Sequence, residues 1–168
     1  MHTANTVYVR GPKSRIFELA ARIQDWPTLL PHYREVLVFE QSDDGNRRVV
    51  EMAAVRDDFP LPGLAFPVRW RSVQVCEPER GRIYFKHLAG VAQGMWVEWS
   101  LEDDPWGRGV CVTIRHDLIY PLPLLNGWFA RDLVGRTFVG AIAGRTLQTI
   151  KAAVEREAEG TAERETGQ

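Results

Sequence analysis

Four polar side chains on strand-like segments are where chemistry could reside: Ser72, Gln74, His87 and His116. Strand side chains alternate, so a charged neighbour that must face water assigns its flanking residues to the interior. With Arg71 outside, Trp70, Ser72 and Gln74 turn inward, and with Lys86 outside, Ile83, Phe85 and His87 do the same. Arg115 and Asp117 outside leave Val112, Ile114, His116 and Leu118 inward. An unpaired polar atom facing an apolar interior costs ~1–3 kcal/mol. The four therefore bond to one another, to backbone or to trapped water, or they orient a carbonyl or hydroxyl of a ligand. An imidazole shuttles protons near neutral pH, so if there is catalysis, His116 and His87 are its expected groups, with Gln74 orienting a carbonyl.

The same alternation names an apolar wall. Glu51 outside places Val50, Met52 and Ala54 inward, with Arg56 left open, and Glu98 outside sends Met95, Val97, Trp99 and Leu101 inward. Met52, Trp70, Phe85, Met95, Trp99 and Ile114 are the expected ligand-facing residues, with Ser72 beside them, Tyr33 offering a phenol and Phe138 reaching in from a helix. Other chemistries lack their residues. The four histidines (His2, His32, His87, His116) show no HExxH or other compact ligand spacing, and no glycine-rich phosphate loop or GxSxG nucleophile is present. No metal and no cofactor is expected. Cys76 and Cys111 lie far apart without CxxC spacing and read as buried free thiols. A net charge of −1 supplies no field for a polyanion, so nucleic acid is not an expected partner.

The elements that must hold these residues follow from periodicity. At 168 residues and 45% hydrophobic, the chain can bury one sizeable core, and one domain is expected over 1–158, with 159–168 a disordered polar tail. Residues 4–10 read as a strand ended by Gly11-Pro12. Ile16, Phe17, Leu19, Ala20 and Ile23 recur at helical spacing, Asp25-Trp26-Pro27 interrupts them, and Thr28-Leu29-Leu30-Pro31 has room for one further turn. Six alternating segments follow, near 33–42, 46–57, 67–77, 80–88, 94–103 and 109–120, joined by short turns that imply an antiparallel meander. From about Leu125 to Glu157 the pattern is a long amphipathic helix carrying Phe129, Leu133, Phe138, Ala141, Ile142, Ile150 and Val154 on one face. One sheet of seven strands needs its apolar face covered, and only this helix is long enough. A curved sheet gripping a helix leaves an internal apolar cavity, the setting in which small molecules usually bind.

Two stretches ask for reasons. Phe59 to Pro67 is unusually apolar for a connection and reads as a lid, as a docking surface for a membrane or carrier protein, or as packing under the first helix. Gly135, Gly140 and Gly144 each cost ~1 kcal/mol of helix propensity, and either enlarge the cavity or allow close packing. No run approaches the ~20 apolar residues that span a bilayer, and the first residues lack an export-signal pattern. A cytoplasmic location is the expectation. The oligomeric state is left open.

The order of elements, with Asp25-Trp26-Pro27 and Leu30-Pro31-His32-Tyr33, resembles the START-like superfamily of helix-grip proteins over roughly residues 4–157. It resembles in particular the polyketide cyclase/dehydrase and lipid-transport branch. The resemblance implies an α+β helix-grip fold: a curved seven-stranded antiparallel sheet around a long C-terminal helix, with two short helices after the first strand. Trp70-Arg71-Ser72-Val73-Gln74 and Met95-Trp96-Val97-Glu98-Trp99 look like the Trp-x-Ser-x-Arg and Met-x-x-x-Trp cavity motifs of the tetracenomycin-type aromatase/cyclases. Gln74 stands where that motif has its arginine. A neutral amide orients a carbonyl but does not stabilise an enolate as a guanidinium does. The resemblance thus implies either a cyclase/dehydrase acting on an aromatic polyketide or related keto compound, or a non-catalytic carrier of a lipid, quinone or polyketide.

Overall fold

The structure, a computed structural model, describes residues 2–56, 66–90, 92–117 and 140–166. Strand β1 (His2–Val9) leads through Gly11-Pro12 into helix α1 (Lys13–Ala21), a 3-10 turn (Ile23–Asp25) and the single-turn helix α2 (Trp26–Leu29). Ile16, Ala20 and Ile23 are fully buried, while Phe17 and Leu19 are partly covered, so the helical spacing in the sequence did mark one buried face. Pro12 caps α1 and Pro27 sits in the first turn of α2, positions where the missing N–H costs nothing.

The meander follows as β2 (Tyr33–Gln41), β3 (Arg47–Arg56), β4 (Phe66–Glu77), β5 (Arg82–Gly90), β6 (Trp96–Asp103) and β7 (Val110–Asp117). The sheet order is β1-β7-β6-β5-β4-β3-β2, antiparallel throughout, with β1 crossing to pair with β7. Register breaks at Tyr33/Glu35 and Val38/Glu40 in β2, and at Arg71/Ser72 between β4 and β5. Bulges of this kind bend and twist a strand. Leu88 is the extra residue of the bulge, on β5; two residues on, Gly90 faces Trp70 with φ +92°, and a Cβ there would lie 2.3 Å from the Arg69 carbonyl, so the chains can approach this closely only with glycine.

The long helix α3 (Gly140–Thr166) lies against the concave face, burying Ala143, Leu147, Ile150 and Val154 at helical spacing. A Cβ on Gly11 would meet Val154 Cγ1 at 2.4 Å, which shows how tightly α3 is seated on the turn before α1. Two expectations change here. Residues 159–166, read as a disordered polar tail, continue α3 to Thr166, because Ala162, Glu163, Arg164 and Glu165 are good helix formers extending a helix already nucleated by packing. Gly140 and Gly144 are not forced by packing either: a Cβ on Gly140 would meet nothing within 4 Å, and one on Gly144 would touch Asn5 Nδ2 at an ordinary 3.6 Å.

The expected helix start near Leu125, with Phe129, Leu133, Gly135 and Phe138, lies outside the described residues, as does most of 59–67. Cys76 is buried and burial pushes its thiol up to about 11, whereas Cys111 is only half-buried on the outer face of β7. No described helix is long and apolar enough to cross a membrane.

Candidate ligand site

Between the sheet and the start of α3 lies a cavity of about 70 Å³. Strand alternation delivers Met52 from β3, Trp70 from β4, Phe85 and His87 from β5, Val97 and Trp99 from β6, and Ile114 and His116 from β7. Tyr33 enters from the start of β2, and Ile142, Ala143 and Thr146 close the wall from α3. The sequence reading therefore brought together Tyr33, Met52, Trp70, Phe85, His87, Trp99, Ile114 and His116. It missed Trp26. This residue sits on a four-residue helix where neither alternation nor helical spacing applies, and its only signal was a large aromatic between two helix breaks.

Trp26 is the hub of the aromatic wall. Its ring meets Tyr33 edge-on at 4.8 Å between centroids, Trp99 at 6.0 Å and Phe85 at 6.2 Å. Its indole N–H donates to the Leu19 carbonyl at 3.1 Å, so the side chain is anchored to α1 while its face is turned to the cavity group. Tyr33 continues the wall to Trp70 at 6.0 Å, and Trp70 to His87 at 6.1 Å. Such tilted and edge-on pairs each add to the stabilisation that burial alone provides.

The polar points differ in how they are held. Ser72 lies behind the wall rather than on it, and its hydroxyl is 2.7 Å from His87 Nδ1. Burial, helped by nearby His116 and Lys86, drives the His87 imidazole down to about 3, so it is neutral at pH 7. Burial likewise drives His116 down to about 4, against a small opposing pull from Asp117. His116 Nδ1 and Trp70 Nε1 are buried and have no hydrogen-bond partner. Tyr33 carries a phenol pushed upward by burial and partly offset by a hydrogen bond with Thr146, whose hydroxyl is also 3.0 Å from His32 Nε2.

Two more expected site residues fall elsewhere, and a third lies outside the described residues. Gln74 is fully buried but faces the end of the sheet covered by α1, where its amide N–H donates to the Ala21 carbonyl at 3.0 Å and its oxygen accepts from Arg48 Nη1 at 3.2 Å. Alternation placed it on the correct face; its distance along β4 removes it from the cavity. Met95 is buried in the β5–β6 connection, with its N–H on the Ala92 carbonyl and its own carbonyl taken by the His87 N–H. It precedes the first residue of β6 and does not line the cavity. Phe138 lies outside the described residues. No group of three or more His, Cys, Asp or Glu that could hold a metal ion occurs among the described residues.

A family model described as "Polyketide cyclase / dehydrase and lipid transport" matches residues 9–143. None of the curated proteins matches the sequence. Among solved structures, the ZhuI aromatase/cyclase from Streptomyces sp. R1128 superposes with a TM-score of 0.78 at 18% identity, over 94% of this chain and 95% of that one. The di-domain ARO/CYC StfQ of the steffimycin biosynthetic pathway gives a TM-score of 0.73 at 24% identity, over 94% of this chain and 52% of the larger one. A START superfamily protein from Mycobacterium smegmatis gives a TM-score of 0.67 at 12% identity, over 92% and 97%. At these identities the likeness is one of fold.

Proposed function

The chain belongs to the polyketide cyclase/dehydrase and lipid-transport family, and from that premise we propose that it binds a hydrophobic keto compound, an aromatic polyketide or a relative of one, and promotes ring closure with loss of water. The observation that carries this reading is the pair of buried, neutral imidazoles, His87 and His116, on the wall of an otherwise apolar cavity. Ring closure needs a base to take a proton from the carbon beside one carbonyl and an acid to protonate the oxygen of the carbonyl that is attacked; loss of the resulting hydroxyl as water, with a second proton taken from the same carbon, then forms a carbon–carbon double bond. A neutral imidazole has one bare nitrogen and one N–H, so it can serve either role. Ser72 on Nδ1 of His87 leaves Nε2 of that ring for the ligand. Burial opposes a lone imidazolium, so a proton accepted here must be balanced by the enolate formed beside it. The aromatic wall would hold the reacting carbons close together, the larger part of the advantage in such a reaction.

The test uses the full chain with a short poly-β-ketone and follows loss of water by mass spectrometry. His116→Gln and His87→Gln should each lower the rate by about 10²–10⁴-fold while ligand binding remains measurable. Unchanged rates in both variants would sink the reading. A carrier of a lipid, quinone or polyketide is the second reading, and one observation favours it: no Arg or Lys occurs among the described residues of the wall. Under that reading the purified protein carries a hydrophobic molecule and turns over nothing.

A further inference from the structure

The two edges of the sheet, β1 and β2, are finished differently. At the β1 edge α3 reaches over the strand: Lys151 Nζ donates to the Tyr8 carbonyl at 2.6 Å, and Asn5 Nδ2 donates to the Gly140 carbonyl at 3.3 Å. The β2 edge is bare of such contacts among the described residues. Val36, Leu37, Val38 and Phe39 follow one another along it, and the last three are 43%, 41% and 54% exposed. An edge strand also presents a row of main-chain N–H and C=O groups with no neighbouring strand, so an apolar edge of this kind is a template for pairing with another chain.

The pattern along β2 is what selects the partner. On either side of Leu37, Val36 and Val38 face Met52 and Val50 on the inner side of the sheet. Beyond each valine the strand bulges, with Arg34 and Glu35 opposing Ala53 and with Phe39 and Glu40 opposing Val49. The two bulges are thus placed symmetrically about Leu37. Arg34 and Glu40 stand three residues to either side of it, exposed and of opposite sign, and neither is in an ion pair with another described residue. A strand with this pattern complements itself. Antiparallel pairing about a twofold axis at Leu37 sets Leu37 against Leu37, Val36 against Val38, and Arg34 against Glu40 of the second copy, twice over by symmetry. Glu35 then falls opposite Phe39, with its own charge already held by Arg69 at 2.7 Å, while the Phe39 ring lies under the Arg71 guanidinium at 4.6 Å. A slip of one residue in either direction removes both Arg34–Glu40 pairs, so charge fixes the register.

We propose that the chain forms a twofold-symmetric dimer by antiparallel pairing of β2 with β2 of a second copy, centred on Leu37, which joins two seven-stranded sheets into one. The contact is isologous and therefore closes at two copies, and the bulges confine the ladder to its short central tract. One strand from each side makes a small interface, so the dimer is weak and half-formed at about 10–100 µM.

Sedimentation equilibrium of the full-length chain tests this over a range of about 5 to 500 µM. The mass should rise with concentration from 19.1 kDa toward twice that value. Arg34→Glu and Glu40→Arg should each weaken the dimer at least about tenfold, because each sets two like-charged pairs across the axis. The double variant Arg34→Glu, Glu40→Arg restores opposite charges and should return association to within about threefold of wild type. Leu37→Asp places two carboxylates at the axis and should leave only monomer. All three positions are exposed in the protomer, so the folded chain should be kept, which circular dichroism checks. A mass that stays at 19.1 kDa throughout overturns the proposal. So does a dimer that survives Leu37→Asp, that the single charge reversals leave unchanged, or that the double reversal does not restore.

Discussion

The two ends of the concave face are built by the same strands with the same alternation, yet one is filled and the other is not. At the end where β4 finishes and β5 begins, α1 and the 3-10 turn lie across the sheet. There Ile16, Ile23, Ile83 and Leu101 are buried to 1% exposure or less, and the one inward amide, Gln74, meets a carbonyl and a guanidinium. At the opposite end, where β4 begins and α3 starts, the covering residues are large rings from α2 and β2, which touch at angles instead of interdigitating. A cavity remains, and with it two unpaired polar atoms and two imidazoles kept from charging. Alternation decides which side chains face inward; the element laid over them decides whether they become core or site.

Acid should break this asymmetry most strongly, because among the described residues the buried imidazoles with depressed pKa, His87 and His116, lie at the cavity end. His87 and His116 titrate at about 3 and 4 in the folded chain, against about 6.5 unfolded. Between those limits the unfolded chain binds protons that the folded one does not, so stability is fully present well above the unfolded pKa of about 6.5 and falls as the pH drops through it. Each histidine contributes about 1 kcal/mol per pH unit over that window, or roughly 3 kcal/mol for the pair between pH 6.5 and 5. The carboxyls held low by ion pairs, such as Glu18 and Glu157, are ionised in both states until lower pH and leave this window clean. Urea midpoints at pH 7 and pH 5 should differ accordingly, and the double variant His87→Gln, His116→Gln should flatten the difference. Equal midpoints in the wild-type chain would mean that the imidazoles are not buried as described.

The next sharpest comparison removes the same atoms from each end. Ile83 is fully buried at the filled end, and Ile83→Ala should cost about 3–4 kcal/mol, lost burial together with the hole left behind. Ile114 borders the cavity, so part of its surface already lacks partner atoms, and Ile114→Ala should cost about 2 kcal/mol. Denaturant unfolding measures both. Equal costs would show that the cavity end is as well packed as the other.

How much of this was legible in the sequence depends on which physical rule carried each residue. Charged neighbours on strands placed Met52, Trp70, Phe85, His87, Trp99, Ile114 and His116 on the inner face, and all seven line the cavity. The order of elements gave the seven strands and the long helix. What escaped was position along a face and everything contributed by non-strand elements. Thr146 and Ala143 line the wall because of how α3 docks, which periodicity does not encode, and Trp26 comes from a helix too short to have a pattern. Ser72 faces inward as expected but is covered by His87, its neighbour on β5.

Gln74 makes the smallest prediction and the most direct one about the two ends. It shares β4 and the inner face with Trp70 and Ser72, and a motif read from sequence would put all three in one site. In the fold, Trp70 is cavity wall, Ser72 holds a cavity imidazole, and Gln74 fastens the last turn of α1 to the sheet. Replacing it with leucine keeps the volume and removes two hydrogen bonds, while Arg48 Nη1 still donates to the Ala21 carbonyl at 3.1 Å, so neither remaining partner is stranded. Gln74→Leu should therefore cost only about 1 kcal/mol in denaturant unfolding. Binding of a short poly-β-ketone and any turnover should stay within about twofold of wild type, since no cavity contact is lost. A large loss of binding with stability intact would return Gln74 to the site and dissolve the distinction between the filled and the open end.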